Sequence, residues 1–157
     1  MSSQVLSTQT SEVVFSRLLR AHQQLTRELS AQLVTDHGLT INDYEALLQL
    51  SRADEHGLKR VDLAERLMLT PSGVTRLLDG LERDGWVRKG ECESDARITY
   101  AVLTEEGRER LESAGRSHLR QIRAIFEGRF SDEELEALID LLGRLPGASG
   151  PAESCEP

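Results

Sequence analysis

Aromatic residues and long apolar runs are scarce in this chain. Aromatics make up 4% of its 157 residues, so a hydrophobic core has to be built mainly from aliphatic side chains. No stretch approaches the roughly 18 consecutive apolar residues that a membrane helix needs, which predicts no membrane association. The start, MSSQVLSTQT, lacks a basic segment followed by an apolar run, so no signal peptide is expected and the protein is predicted to be cytoplasmic.

Cysteines and catalytic motifs are also rare. Cys92 and Cys155 are too few for a disulfide framework, and reduced thiols are expected. The sequence has no G-x-S-x-G motif, no phosphate-binding glycine loop and no H-E-x-x-H motif. Acidic pairs such as Glu105-Glu106 lie where helices are expected to begin, a position that favours carboxylates for electrostatic reasons alone. We therefore predict that the protein is not an enzyme.

Charge is unevenly distributed along the chain. The formal net charge is −8, which by itself argues against nucleic acid as a partner. The segment from Leu58 to Tyr100 nevertheless contains eight Lys or Arg and eight Asp or Glu residues, so it is neutral and the remainder carries the whole negative charge. A DNA-binding protein needs a local positive face and not a positive total. The distribution is therefore compatible with DNA binding by the central segment.

The spacing of apolar residues predicts a mainly helical chain. Helices are expected at about 11–35, from 40, at 61–68, at 71–84, from 104 and from 131. Their starts carry capping residues, among them Thr40, Thr70 before Pro71, Thr104 and Ser131. Val61, Leu63, Ala64 and Leu67 are expected to face inward from the short third helix. Strands at 86–88 and 98–102 are expected to form a β-hairpin.

The helices at 61–68 and 71–84 are joined by only a few residues. Their apolar positions must share one small core, which leaves one side of the second helix exposed. That side carries short hydroxyls, a glycine and cationic side chains: Ser72, Gly73, Thr75, Arg76 and Arg83. A helix of this kind fits the DNA major groove, and backbone N–H groups from Thr70 to Gly73 are expected to donate to a phosphate oxygen. Arg60 is a further candidate for DNA contact.

The hairpin provides a second candidate DNA contact. Arg88 and Lys89 are expected to leave its first strand, and Arg97 enters its second. An arginine at the tip of such a loop enters the narrow minor groove, and Asp95 is placed to hold Arg97 in one rotamer. Trp86 is expected to pack between hairpin and helix and not to stack on a base.

Several of these segments together resemble the MarR family of bacterial regulators. The resemblance rests on Asp62–Leu67, Thr70–Leu78, Leu81–Val87, Asp95–Arg97 and Leu103–Gly107. It implies a homodimer that binds a palindromic operator on double-stranded DNA and represses transcription until a small effector binds. It also implies that Ser72, Thr75 and Arg76 contact DNA, with Asp95 and Arg97 acting in the wing.

The expected architecture is a mainly α-helical protein with one winged helix-turn-helix lobe, a small β-hairpin wing and a dimerisation region built from the N- and C-terminal helices. The terminal helices carry wide aliphatic stripes that the small lobe cannot cover alone, which independently favours a dimer. The predicted parts are a flexible N-terminus at 1–10, one domain at 11–145 and a disordered tail at 146–157. Within the domain, the predicted dimerisation helices lie at 11–36 and 104–145, and the predicted winged helix-turn-helix lobe lies at 40–103.

No cofactor is assigned with certainty, and the effector is an open question. A small-molecule pocket is expected where the first, second and fifth helices meet the lobe, with Arg17, His22, Tyr44 and His118 as candidates. Some members of the resembled family sense zinc, and His22, His37 and His118 lie in the corresponding segments, although no compact metal-binding spacing is present. The alternatives are a zinc-responsive regulator, or a winged helix used only for protein–protein contact.

Overall fold

The computed structural model describes residues 2–91 and 98–148, and side chains within this range except those of 2–9 and 91. Six helices and three short strands occur in this part of the chain. In chain order they are α1 (Ser2–His37), α2 (Ile41–Ser51), β1 (Leu58–Lys59), α3 (Arg60–Arg66), α4 (Pro71–Arg83), β2 (Val87–Glu91), β3 (Thr99–Leu103), α5 (Glu105–Glu127) and α6 (Asp132–Gly143). The predicted mainly helical winged fold is confirmed.

Helix α1 is longer than the sequence pattern predicts. It begins at Ser2, whereas the apolar periodicity indicates a start near 11. Residues 2–9 contain neither Gly nor Pro, so nothing in their backbone prevents the helix from extending, although they lack the apolar stripe by which a helix is recognised. The helix ends as predicted at Gly38, which adopts a left-handed φ of 68°.

The predicted helix caps are present. Thr40 and Asp43 form a capping box in which each side chain accepts a hydrogen bond from the other residue's backbone N–H. Ser131 and Glu134 form the same arrangement at the start of α6. Because these caps satisfy N–H groups that would otherwise have no partner, they explain why the helices begin where the sequence indicates.

The lobe has one aliphatic core. Leucines from the end of α1, α2, α3 and α4 meet there with negligible exposure: Leu33, Leu39, Leu47, Leu63, Leu78 and Leu81. The prediction that Val61 faces inward is wrong, because its side chain is 59% exposed. At 100° per residue, Val61 lies about 110° from the centre of the arc formed by Leu63, Ala64 and Leu67, so it falls outside the buried face.

The wing is a three-stranded antiparallel sheet in the order β1-β3-β2. Val87 is opposite Leu103 and Lys89 is opposite Ala101, while Leu58 pairs with Ala101 from the other side. Gly57 precedes β1 with a φ of 80°, and a Cβ there would collide with the backbone carbonyl of Ala101. Strand β1 is therefore held against β3 by a close backbone contact at Gly57 that only glycine permits.

The two terminal helices leave large apolar side chains uncovered in the single chain. On α1, Val13, Val14, Phe15, Leu18 and Leu19 are exposed, Phe15 by 67%. On α6 and just after it, Ile139, Leu141, Leu142 and Leu145 are exposed as well. Helix α5 packs against both α1 and α2, so it connects this apolar region to the lobe. Of the predicted tail at 146–157, the structure describes residues 146–148.

Candidate DNA-binding interface

Helix α4 presents one polar stripe to solvent. Val74, Leu78 and Leu81 are buried against the lobe. On the opposite side, spaced three or four residues apart, lie four exposed residues: Ser72, Arg76, Asp79 and Arg83. Two cations and a hydroxyl therefore lie on the face that the core does not use. Asp79 was missed as a candidate at the sequence level, although its spacing from Arg76 and Arg83 places it on their stripe.

The start of α4 is capped by Thr70. Its Oγ1 accepts a hydrogen bond from the backbone N–H of Gly73 at 3.1 Å, with Pro71 as the first helical residue. From sequence, phosphate donors are predicted at the four positions 70–73. Pro71 has no N–H group, and the N–H of Gly73 donates to the cap. The N–H groups of Thr70 and Ser72 therefore remain for a phosphate. A Cβ at Gly73 would lie 3.1 Å from Thr70 Oγ1, so a larger residue would press on the cap.

Half-buried Thr75 donates its hydroxyl hydrogen to the carbonyl of Pro71 at 3.0 Å. Only the acceptor lone pairs of Thr75 therefore remain for DNA. Arg60 is also half-buried, and within the described residues its Nε has no hydrogen-bond partner. Its guanidinium is thus partly directed into the lobe, in contrast to the exposed Arg76.

The wing residues differ from one another in position. Arg88 lies in β2, within the strand predicted at 86–88, and Lys89 lies there too; the expectation that the strand ends before Lys89 is wrong, because β2 continues to Glu91. Arg88 is exposed, whereas Nζ of Lys89 lies 3.4 Å from Glu82 of α4 and is partly neutralised. Asp95 and Arg97 lie outside the described residues, so their predicted roles in the wing stay predictions.

The junction between α4 and the wing is held against the start of α5. Thr104 Oγ1 accepts from the N–H of Gly107 and donates to the carbonyl of Gly85 at 2.7 Å. The backbone N–H of Thr104 donates to the carbonyl of Trp86 at 3.1 Å. A Cβ at Gly107 would collide with that carbonyl, so α5 approaches the wing as closely as its backbone permits. Trp86 packs against the core as predicted.

A cavity of about 260 Å³ lies between α2 and α5. Its apolar wall includes Tyr44, Leu48, Leu111 and Leu119, and three arginines also line it: Arg52, Arg108 and Arg116. At the sequence level these arginines are indistinguishable from the solvated face of a helix. Of the predicted pocket residues, Tyr44 lines this cavity and contacts the ring of His118 at 4.7 Å between centroids. Arg17 and His22 are exposed on α1 and do not line it.

The histidines have separate environments. His118 is 6% exposed, its Nδ1 has no hydrogen-bond partner among the described residues, and burial lowers the pKa of its imidazole. His37 lies 2.7 Å from Ser117 through its Nε2, and His22 is exposed. Within residues 2–91 and 98–148, no three His, Cys, Asp or Glu side chains are grouped closely enough to hold a metal ion.

Comparison with known proteins identifies this arrangement. The MarR family model matches residues 39–99, which span the lobe from the end of α1 to β3. The chain is 31% identical over 130 residues to the HTH-type transcriptional regulator YdgJ of Bacillus subtilis, a match covering 83% of this chain and 77% of that one. The chain belongs to the MarR family. It is a winged helix-turn-helix, DNA-binding transcriptional regulator, and the alternatives of a zinc-responsive or protein-contact module are not favoured.

Other known proteins agree with this assignment. The HTH-type transcriptional repressor YetL of Bacillus subtilis is 38% identical over 108 residues, and the match covers 69% of this chain but 64% of YetL. Among solved structures, AbsC from Streptomyces coelicolor aligns with a TM-score of 0.76 at 32% identity, covering 85% of this chain and 89% of that one. Sco3205 from the same organism, solved in complex with DNA, aligns with a TM-score of 0.77 at 29% identity over 83% and 81% of the two chains.

Within the described residues, no helix is long and apolar enough to cross a membrane.

Proposed function

We propose that this MarR-family chain acts in the cytoplasm as a homodimeric repressor of a palindromic operator, and that a small effector weakens its binding to DNA. The observation that carries the proposal is the exposed stripe of α4 with Arg76 and Arg83, beside the backbone N–H groups at the helix start. Arginines in this setting bind phosphate oxygens and the acceptor edge of guanine. Two such helices related by a two-fold axis would enter successive major grooves about one DNA turn apart.

The operator is obtained by selecting bound duplexes from a random pool. Its affinity is then measured by gel shift at two salt concentrations for wild type, Arg76→Ala and the matched control Arg129→Ala. Arg129 is exposed beyond the end of α5. Because that helix starts at the wing and rises about 1.5 Å per residue, Arg129 lies about 35 Å from the wing along the helix axis.

Arg76→Ala is expected to weaken operator binding about tenfold or more, and to reduce the salt slope by about two, one for each subunit of the proposed dimer, if the lost contacts are to phosphate. Arg129→Ala removes the same charge and is expected to leave affinity within about twofold. Equal affinities for Arg76→Ala and wild type would refute the assignment of α4 to DNA.

The apolar residues exposed on α1 and α6 support the dimer. An apolar patch of this kind on either helix is unfavourable in water, and a second copy would cover it with the same side chains. Sedimentation of the wild type should give the mass of two chains at micromolar concentration. Phe15→Glu places a charge in the patch and is expected to shift the protein toward monomer, with a parallel loss of operator affinity. A wild-type monomer at that concentration would refute the dimer.

The cavity between α2 and α5 is the proposed effector site. Its leucines and Tyr44 would cover an apolar body. Three arginines, Arg52, Arg108 and Arg116, outnumber the one carboxylate in the lining, Glu112, and would attract an anionic group. Because the cavity touches α2, which packs against α3 and α4, a ligand there is placed to alter the orientation of the lobe.

Matched probes test the charge requirement. Octanoate and octanol have the same chain length and differ in charge, so calorimetric titration of both separates anion recognition from apolar partition. We expect octanoate to bind more tightly than octanol, and Arg116→Met to remove the difference. Equal binding of the two probes to the wild type would contradict the anionic class.

A further inference from the structure

Arg110 makes two unlike contacts with two distant parts of the chain. Its guanidinium carbon lies 5.1 Å from the ring centroid of Trp86, within cation–π range. Its Nη1 donates a hydrogen bond to the backbone carbonyl of His37 at 3.3 Å. Trp86 is the first residue after the turn that ends α4, and His37 is the last residue of α1. One half-buried side chain of α5 therefore connects the wing junction with the terminal helix.

The contact at Trp86 connects Arg110 to the proposed recognition helix α4. The N–H of Trp86 donates to the carbonyl of Leu81, near the end of α4, at 2.9 Å. Its carbonyl accepts from Thr104 at the start of α5. Two backbone hydrogen bonds therefore join Trp86, whose ring Arg110 contacts, to the end of α4 and to the start of α5.

The contact at His37 is reinforced two helical turns further along α5. The Ser117 hydroxyl donates to the carbonyl of Ala114 at 3.0 Å, so it accepts the hydrogen bond from Nε2 of His37 at 2.7 Å. Two hydrogen bonds, one to the His37 backbone and one to its ring, thus attach the end of α1 to the α5 face that carries Arg110.

We propose that Arg110 is a positioning residue for DNA binding, which sets the orientation of the α4 recognition helix relative to the dimerisation helices. The inference rests on the proposed dimeric operator binding. A dimer gains affinity from its second half-site only when both lobes are held at the correct separation, since the gain depends on effective concentration. Loss of the Arg110 bridge leaves each lobe intact and loosens its orientation, so it weakens the two-site complex selectively.

The test measures binding of the full-length dimer to four duplexes. They are the selected operator, the same duplex with one half-site scrambled, and operators with one or two base pairs inserted between half-sites. The variants are Arg110→Met, which keeps bulk and removes charge, Arg110→Lys, and Ser117→Ala, which removes the His37 ring contact together with the local hydrogen bond to the carbonyl of Ala114. Arg129→Ala is the charge-matched control, and dimer mass and thermal midpoint are recorded for each variant.

For Arg110→Met we expect about tenfold weaker binding to the intact operator and less than twofold change on the scrambled duplex. Each inserted base pair should also reduce the affinity of this variant less than it reduces that of the wild type. Arg110→Lys should recover part of the affinity because it keeps the charge over Trp86, and Ser117→Ala should show the same pattern more weakly. Equal losses on both duplexes, or no loss on either, would overturn the inference for Arg110. A wild type that binds intact and scrambled duplexes equally would instead overturn the proposed dimeric operator binding.

Discussion

Gly107→Ala tests the close approach between α5 and the wing. The new methyl group would collide with the carbonyl of Trp86 and would also lie 2.8 Å from Cδ1 of Leu103 and 2.9 Å from the carbonyl carbon. Overpacking of this kind costs about 1–3 kcal/mol. Displacement of the carbonyl also weakens its hydrogen bond from Thr104, a loss of about 1 kcal/mol. Alanine offsets about 1 kcal/mol through its higher helix propensity.

The net expectation is a loss of about 2 kcal/mol in the free energy of unfolding, or about 4–8 °C in the thermal midpoint for a chain of this size. Gly80→Ala is the matched control, because Gly80 is also helical and no atom lies within 4 Å of its added Cβ. It is expected to raise stability by up to about 1 kcal/mol. Both are measured by urea unfolding at one fixed protein concentration, since dimer stability depends on concentration. A Gly107→Ala variant as stable as Gly80→Ala would refute the steric reasoning.

Three further predictions concern DNA affinity and the pH dependence of stability. Asp79→Asn removes a negative charge from the DNA-facing stripe, so non-specific affinity in gel shifts should rise several-fold and the sequence preference in random-pool selection should relax at one position; an unchanged preference would contradict a groove-facing carboxylate. Lys89→Met should change operator affinity less than Arg88→Met, because Glu82 already partly neutralises Lys89; the reverse order would be inconsistent with this geometry. Burial lowers the pKa of His118 in the folded state, so the unfolded state binds the proton more readily and wild-type stability should fall as pH drops below about 6.5 toward the lowered pKa. His118→Gln should lessen that decline in urea midpoints between pH 7.5 and 5.5, and an identical decline would assign it to other groups.

Local chemistry accounts for what the sequence predicted well. Thr40, Thr70, Thr104 and Ser131 each cap a helix in the structure, because capping depends on a side chain and a backbone N–H two or three residues away. The buried face of α4 follows the same logic, since apolar spacing within one helix decides which side turns inward. The recognition helix was therefore accessible from sequence alone.

Features that depend on two distant segments were not predictable in the same way. The arginines around the cavity belong to α2 and α5, and nothing in either segment indicates that the two face one another. The role of Arg110 depends on a tryptophan 24 positions earlier and on a backbone carbonyl that has no sequence signature. The pairing of Lys89 with Glu82 likewise follows from how β2 packs against α4.

The two hydrogen bonds of the Thr104 hydroxyl link the folding of the lobe to the folding of α5. The same oxygen that caps α5 also donates to the carbonyl of Gly85, so this cap reaches its native geometry only once α4 and the following turn are in place. Nucleation of α5 is thereby tied to completion of the lobe, and neither half has a fully satisfied boundary by itself. The chain should consequently melt as one cooperative unit, without a partly folded species in which the long helix persists while the lobe is lost.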